Sequence, residues 1–173
     1  SPAPGGGSIA AYVGALGVSL ATMVANLSSH KKGWDERWEE FGNWAEKGEK
    51  IKNELVNLVD ADTKAFNKIM EAFGLPKSTD AVQEATKFAI EIPFQVMMAS
   101  YNSMEVIKAM AEIGNPNSVS DAGVGALCAR SAVMGAFMNV RINTNGYNDK
   151  VYVAETLKRG KEIENKAIAL EEE

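Results

Sequence analysis

The chain has 173 residues, 46% hydrophobic and 24% charged, with a formal net charge of −5. That composition suits one globular domain, residues 1–173, with a real core, and its acidic balance without a clustered basic face argues against nucleic-acid binding. One cysteine, Cys128, excludes an intrachain disulfide and one histidine, His30, excludes a His-rich metal site; both suit a reducing compartment, the cytoplasm.

SPAPGGGS opens the chain and places Ser8 where a helix N-cap is expected. The glycines read two ways. Gly5, Gly6 and Gly7 can present backbone N–H groups and the positive end of a helix dipole to an anion, or they can be a flexible lead. A helix follows over Ile9–Leu27 with no charged residue in it. At about 28 Å it has the length of a membrane span. Its Ala, Gly, Ser, Thr and Asn content, and the absence of aromatic and basic flanks, favour a buried central helix without membrane contact. No signal peptide is expected, because the apolar stretch lacks a basic leader and a small-residue cleavage site.

Ser28–Gly33 reads as a loop, and a long amphipathic helix or broken pair runs from Trp34 to Phe73. Its stripe is Trp34, Trp38, Phe41, Ala45, Gly48, Ile51, Leu55, Leu58, Val59, Phe66, Ile69, Met70 and Phe73. Gly42 and Gly48 are candidate kinks, and the tryptophans are expected as core or dimer contacts. Between Val59 and Phe66 the spacing calls for an apolar residue at position 62, which is Asp. A carboxylate on a buried stripe is disfavoured in its charged form by desolvation unless something compensates. Asp62 is therefore either a core carboxylate paired with Arg or Lys, one that caps a neighbouring helix, or a general acid–base. Asp60, roughly 200° around the helix, is expected in solvent.

Gly74-Leu75-Pro76 stops that helix, and Ser78 and Thr79 offer caps for the next, Asp80 to Ile113. Pro93 inside it predicts a kink. Met97, Met98, Met104 and Met110 are expected in the core. After the turn Gly114-Asn115-Pro116-Asn117, Ser118 or Ser120 caps a fourth helix. Its small residues predict close packing on Ile9–Leu27, with Cys128 an inert buried thiol and Asp121 in the first turn. Arg130 and Arg141 share a face roughly 16 Å apart, placed to grip a polyanion or to form salt bridges. Asn139 and Asn143 are unusual in so apolar a neighbourhood and could hydrogen-bond a heterocycle edge. A surface helix, Asp149–Glu173, with a stripe at Val153, Leu157, Gly160, Ile163, Ala167 and Leu170, ends the chain. The expected architecture is all-α: an up-and-down bundle of about five helices, one kinked at Pro93.

Four stretches, SPAPGGGSIAAYVGALG, LVDADTKAFNKIMEAFGLPK, the IPF at Ile92–Phe94 and NSVSDAGVGALCARSAVMGAFMNVRIN, occur in this order. Together they resemble the formiminotetrahydrofolate cyclodeaminase family, which forms one half of the bifunctional formiminotransferase–cyclodeaminase. The resemblance implies a dimerising helical bundle and a lyase that closes 5-formiminotetrahydrofolate to 5,10-methenyltetrahydrofolate with loss of ammonia, as in histidine degradation. It implies tetrahydrofolate as the substrate carrier, no metal, and a formiminotransferase domain or protein as a possible partner. The family's catalytic carboxylate is the second Asp of D-x-D-x-x-A-F, here Asp62, as proton shuttle. Gly5, Gly6, Gly7 and Ser8 match its PGGGS opening. Ser120, Asp121, Gly135, Asn139 and Asn143 match its S-D and N-V-x-I-N elements, expected at the folate. Arg130 and Arg141 lie outside the pattern, and the segment from Leu75-Pro76-Lys77 to Gln83 is shorter than in relatives. Two rival readings stand beside this one: methenyltetrahydrofolate cyclohydrolase, or a non-catalytic helical dimerisation module.

Overall fold

Five long helices account for most of the computed structural model, which describes residues 4–72, 74–77 and 79–173. They are α1 Gly6–Ser29, α2 Trp38–Glu71, α3 Asp80–Ile113, α4 Val119–Asn143 and α5 Lys150–Glu172, and there is no strand among the described residues. Phe73, at the end of the α2 stripe, and Ser78, a candidate cap for α3, lie outside the described residues, as do Ser1, Pro2 and Ala3. Short connections between consecutive helices make sequence neighbours pack side by side, giving the up-and-down bundle expected from the pattern.

The order of packing follows from side-chain size. α1 is the central helix, in contact with α2, α3 and α4. Its small residues allow this, because a Cβ on Gly17 would stand 2.8 Å from the Gly125 carbonyl oxygen and 2.9 Å from Cys128 Cβ. The α1 and α4 backbones therefore touch, as the two runs of small residues predict. Both helices are long and apolar enough to cross a membrane by length and composition; here α1 is spent on packing against its three neighbours. Phe41, Leu55, Ile90, Met97, Met110, Val18 and Val133 fill the core between the helices. Met104 is buried with them and Met98 is partly so.

Several boundaries differ from the sequence reading. α1 starts at Gly6 rather than Ile9, with the extended Gly5 as N-cap and no side-chain cap. Ser8 is not the cap, because its hydroxyl is engaged with Asp62 across the α1–α2 interface. The segment Trp34–Phe73 is broken near its start: a 3₁₀ turn, Asp35–Arg37, precedes α2. Trp34 stacks on Phe41 with centroids 5.5 Å apart, whereas Trp38 is 63% exposed and outside the core. Gly48 lies within the continuous α2 and serves close approach, since a Cβ there would meet Thr22 Oγ1 at 2.3 Å. α3 has the expected limits and runs through Pro93. Thr79 holds its N-cap position but donates its hydroxyl to the Pro76 carbonyl, and Ser118 precedes α4 without a side-chain cap bond. Cys128 is only half-buried. α5 is capped by the Asp149 side chain and covers the outside of α3 and α4 through Gly160, Ile163 and Ala167.

Candidate active site

Asp62 stands where the second half of α2 passes the first turn of α1. Upstream of it the α2 stripe is core: Phe41, Ile51, Leu55 and Leu58 are buried. Beyond Leu58 the same stripe leaves the core, with Phe66 47% and Met70 51% exposed. The buried residue there is Ala65, which the stripe did not include. Asp62 is half-buried at this transition, so it is not the fully buried carboxylate the spacing called for, while Asp60 is exposed as expected.

A single short hydrogen bond orients the carboxylate. Ser8 Oγ, on a residue only 1% exposed, donates to Asp62 Oδ2 at 2.8 Å. The Val59 carbonyl at 3.4 Å is a weaker alternative acceptor for that proton, and Thr63 Oγ1 lies 3.5 Å away. No Lys or Arg forms a salt bridge with Asp62 among the described residues. What faces it is the first turn of α1, where the opening N–H groups of a helix lack intrahelical partners and carry the positive end of the dipole. The approach is tight: a Cβ on Gly7 would stand 2.1 Å from Asp62 Oδ1 and one on Gly5 3.9 Å from Oδ2. Gly7 is therefore a requirement of the contact, which gives the glycine run a packing role that neither sequence reading contained.

A cavity of about 350 Å³ opens beside this carboxylate, lined by Gly5, Gly6, Gly7 and Ser8, by Asp62 and Phe66, and on the far side by Ala89, Asn139 and Asn143. Its size falls within the range of small-molecule sites. Thr63, Ala65 and Ile69 complete the wall. Phe66 and Ile69 belong to the apolar stripe, and their spacing from Asp62 by four and seven residues is the signal that puts them beside it, whereas Ala89 of α3 carries no such signal.

The structure thus brings together six of the residues matched to the family motifs besides Asp62: Gly5, Gly6, Gly7, Ser8, Asn139 and Asn143. It does not bring in Ser120 and Asp121. They lie in the first turn of α4, roughly 28 Å along the axis from Asn139, beyond the reach of one chain's cavity. Gly135 is one turn from Asn139, whose amide donates to the Gly135 carbonyl at 2.9 Å. Arg130 takes the salt-bridge side of its alternatives, pairing with Glu171 on α5, whereas Arg141 takes neither: it forms no salt bridge among the described residues and lies over the Phe137 ring at 4.9 Å. Neither lines the cavity.

An all-helical bundle that holds a carboxylate against a helix N-terminus, at the wall of a small-molecule cleft, has the form of a site for proton transfer on a bound ligand. The family model described as Formiminotransferase-cyclodeaminase matches residues 1–162, and the chain belongs to that family. It is 36% identical over 180 residues to a methenyltetrahydrofolate cyclohydrolase of Methylorubrum extorquens, a match covering 99% of this chain and 86% of that one. It is 37% identical over 164 residues to the formimidoyltransferase-cyclodeaminase of Gallus gallus, where the match covers 90% of this chain but only 30% of the longer protein. Among solved structures, a formiminotetrahydrofolate cyclodeaminase from Thermotoga maritima superposes with a TM-score of 0.87 at 28% identity, over 99% of this chain and 87% of that one. These names place the chain among folate-interconverting enzymes that carry cyclodeaminase or cyclohydrolase activities.

Proposed function

We propose that the protein is a formiminotetrahydrofolate cyclodeaminase with Asp62 as its proton shuttle. The observation that carries this is the hydrogen-bonded Asp62 carboxylate on the wall of a cavity built from the PGGGS turn and two asparagines. N10 of 5-formiminotetrahydrofolate attacks the formimino carbon, forming the N10–C bond, and its proton passes through Asp62 to the former imine nitrogen. With the further proton that an amidine carries at neutral pH, this nitrogen becomes an ammonium. The C–N bond breaks, ammonia leaves, and the N5 lone pair closes the methenyl cation. The attack is intramolecular, so the protein's tasks are to hold the two nitrogens together and to move a proton. An ionised Asp62 also stabilises the cationic product.

A second reading is favoured by the Methylorubrum relative, which is matched along 86% of its own length. In a methenyltetrahydrofolate cyclohydrolase, water adds to the methenyl carbon, and Asp62 takes one of its protons and passes it to the ring nitrogen as the bond from that nitrogen to the carbon breaks. The second water proton is lost to solvent as the hydroxyl becomes the formyl carbonyl. Both reactions proceed through a carbon held between N5 and N10, so one carboxylate serves either.

The assembly we propose is a homodimer. α1 exposes Ile9, Tyr12, Leu16 and Met23, and the adjoining α4 exposes Val124, Leu127 and Met138. A surface of this kind on two touching helices is what a second copy would cover. A formiminotransferase, fused or separate, is the proposed source of substrate, and the cytoplasm the proposed compartment. The test supplies purified protein with 5-formiminotetrahydrofolate and follows methenyl absorbance and ammonia together. Equal yields of both are expected. Hydrolysis of methenyltetrahydrofolate without ammonia release transfers the assignment to the cyclohydrolase, and silence with both substrates leaves the dimerisation module.

A further inference from the structure

Pro93 lies inside α3 and has no N–H. In a regular helix the N–H of residue 93 serves the carbonyl of residue 89, so Ala89 loses its ordinary donor. Asn143 of α4 supplies one instead: its Nδ2 donates to the Ala89 carbonyl at 2.6 Å. Ala89 and Asn143 both line the cavity that contains Asp62.

This bond settles which way the Asn143 amide points. A carbonyl only accepts, so the atom facing Ala89 must be the nitrogen, and the oxygen is the one turned elsewhere. That Oδ1 accepts from no protein group among the described residues, and it is not sealed from solvent. One turn earlier Asn139 repeats the arrangement, its Nδ2 donating to the Gly135 carbonyl and its amide lying against Gly6. The two side chains hold their nitrogens back on backbone carbonyls and leave two oxygens without protein donors.

We propose that Asn143, with Asn139 beside it, reads an N–H donor edge of the bound heterocycle, and that Pro93 is a positioning residue that locks the Asn143 oxygen into that role. The inference rests on the folate reading above, under which the edge is the 2-amino group and ring N–H of the reduced pterin. A proline in a helix far from any turn thereby acquires a function: it creates the unpaired carbonyl that orients a side chain on the neighbouring helix α4.

The test is a cycle between ligand and residue, read by calorimetry on the whole protein. The probes are 5-formyltetrahydrofolate, a stable reduced folate, and its analogue with methyl in place of the 2-amino group. Loss of one hydrogen bond from a site built to accept it leaves the partner unpaired, and wild-type protein is expected to prefer the amino compound about tenfold. In Asn143→Ala the ratio should fall towards one. In Pro93→Ala, which restores the missing N–H and frees the amide to turn, it should fall to about threefold. Should Asn143→Ala fold poorly, the double variant Pro93→Ala, Asn143→Ala repairs the Ala89 carbonyl and serves in its place. A ratio unchanged from wild type in a folded Asn143 variant overturns the proposal and leaves Asn143 only sealing the Ala89 carbonyl. If wild-type protein binds neither probe, the folate reading falls, and this assignment with it.

Discussion

Replacing Gly7 with alanine adds one carbon at the point where α1 and α2 close around Asp62. The new Cβ would lie 2.1 Å from Oδ1, 2.6 Å from Cγ and 2.9 Å from Oδ2 of Asp62. Carbon and oxygen do not approach so closely, so something must retreat by about 1 Å. The α1 backbone has little room to do so. It is held further along at Gly14 and Gly17, where added Cβ atoms would stand 2.5 Å from Ser100 Oγ and 2.8 Å from the Gly125 carbonyl. The Asp62 side chain must therefore move, stretching the 2.8 Å bond from Ser8. Displacing a reacting group by about 1 Å costs on the order of 10²-fold in rate. Stability should change far less, because overpacking costs about 1–3 kcal/mol while alanine gains about 1 kcal/mol over glycine in a helix. The expected outcome is a kcat/KM about a hundredfold lower, with an unfolding free energy by urea titration within about 2 kcal/mol of wild type. Gly5→Ala, whose Cβ would make an ordinary 3.9 Å contact, should lose less than about tenfold. A folded Gly7→Ala protein that turns over at the wild-type rate would refute the placing of Asp62 at the reacting atoms.

The remaining predictions test other joints of the structure. Asp62→Asn keeps an acceptor for Ser8 but cannot carry the proton; turnover should fall by about 10²–10⁴ with a melting temperature close to wild type, measured by the coupled absorbance and ammonia assay. Gly17→Ala meets backbone rather than a movable side chain, and should cost about 1–3 kcal/mol in chemical denaturation by prising α1 from α4. Leu127→Asp, on the exposed apolar face of α4, should shift sedimentation from the proposed dimer to monomer. Burial, reinforced by the Glu91 carboxylate, pushes the Tyr152 hydroxyl above its usual 10.0. The folded chain therefore keeps this proton to higher pH than the unfolded chain does. Stability should fall as pH climbs past the unfolded value, and less steeply in Tyr152→Phe, as read by denaturation in alkaline buffers.

Much of this fold was legible because helices announce themselves by period and punctuation. The limits of α3 follow from Pro76 before it and Gly114 after it, and the contact of α1 with α4 follows from their small residues. What was not legible depends on the partner across an interface. Ser8 carries an N-cap's side chain, but Asp62 competes for its hydroxyl, and the helix begins earlier on glycines. Trp38 keeps the stripe's spacing, yet the 3₁₀ turn just before it alters the angle at which the chain enters α2. Ser120 and Asp121 matched a family motif as well as Asn139 did, but a match in sequence says nothing of distance, and a helix of 25 residues separates its two ends widely.

Asp62 shows why the site itself was only half readable. An apolar stripe predicts that something apolar lies opposite, and it does not say whether that is another helix or a ligand. Up to Leu58 the answer in α2 is protein. From position 62 onward it is a cavity, and Phe66 stays half exposed beside a carboxylate that the same stripe presents to the same space. A flat heterocycle with a charged or proton-bearing edge would satisfy both: apolar area for Phe66 and Ile69, a proton partner for Asp62. The irregularity in the stripe and the exposed aromatic after it are then one feature seen twice, a helix whose second half is complementary to a ligand.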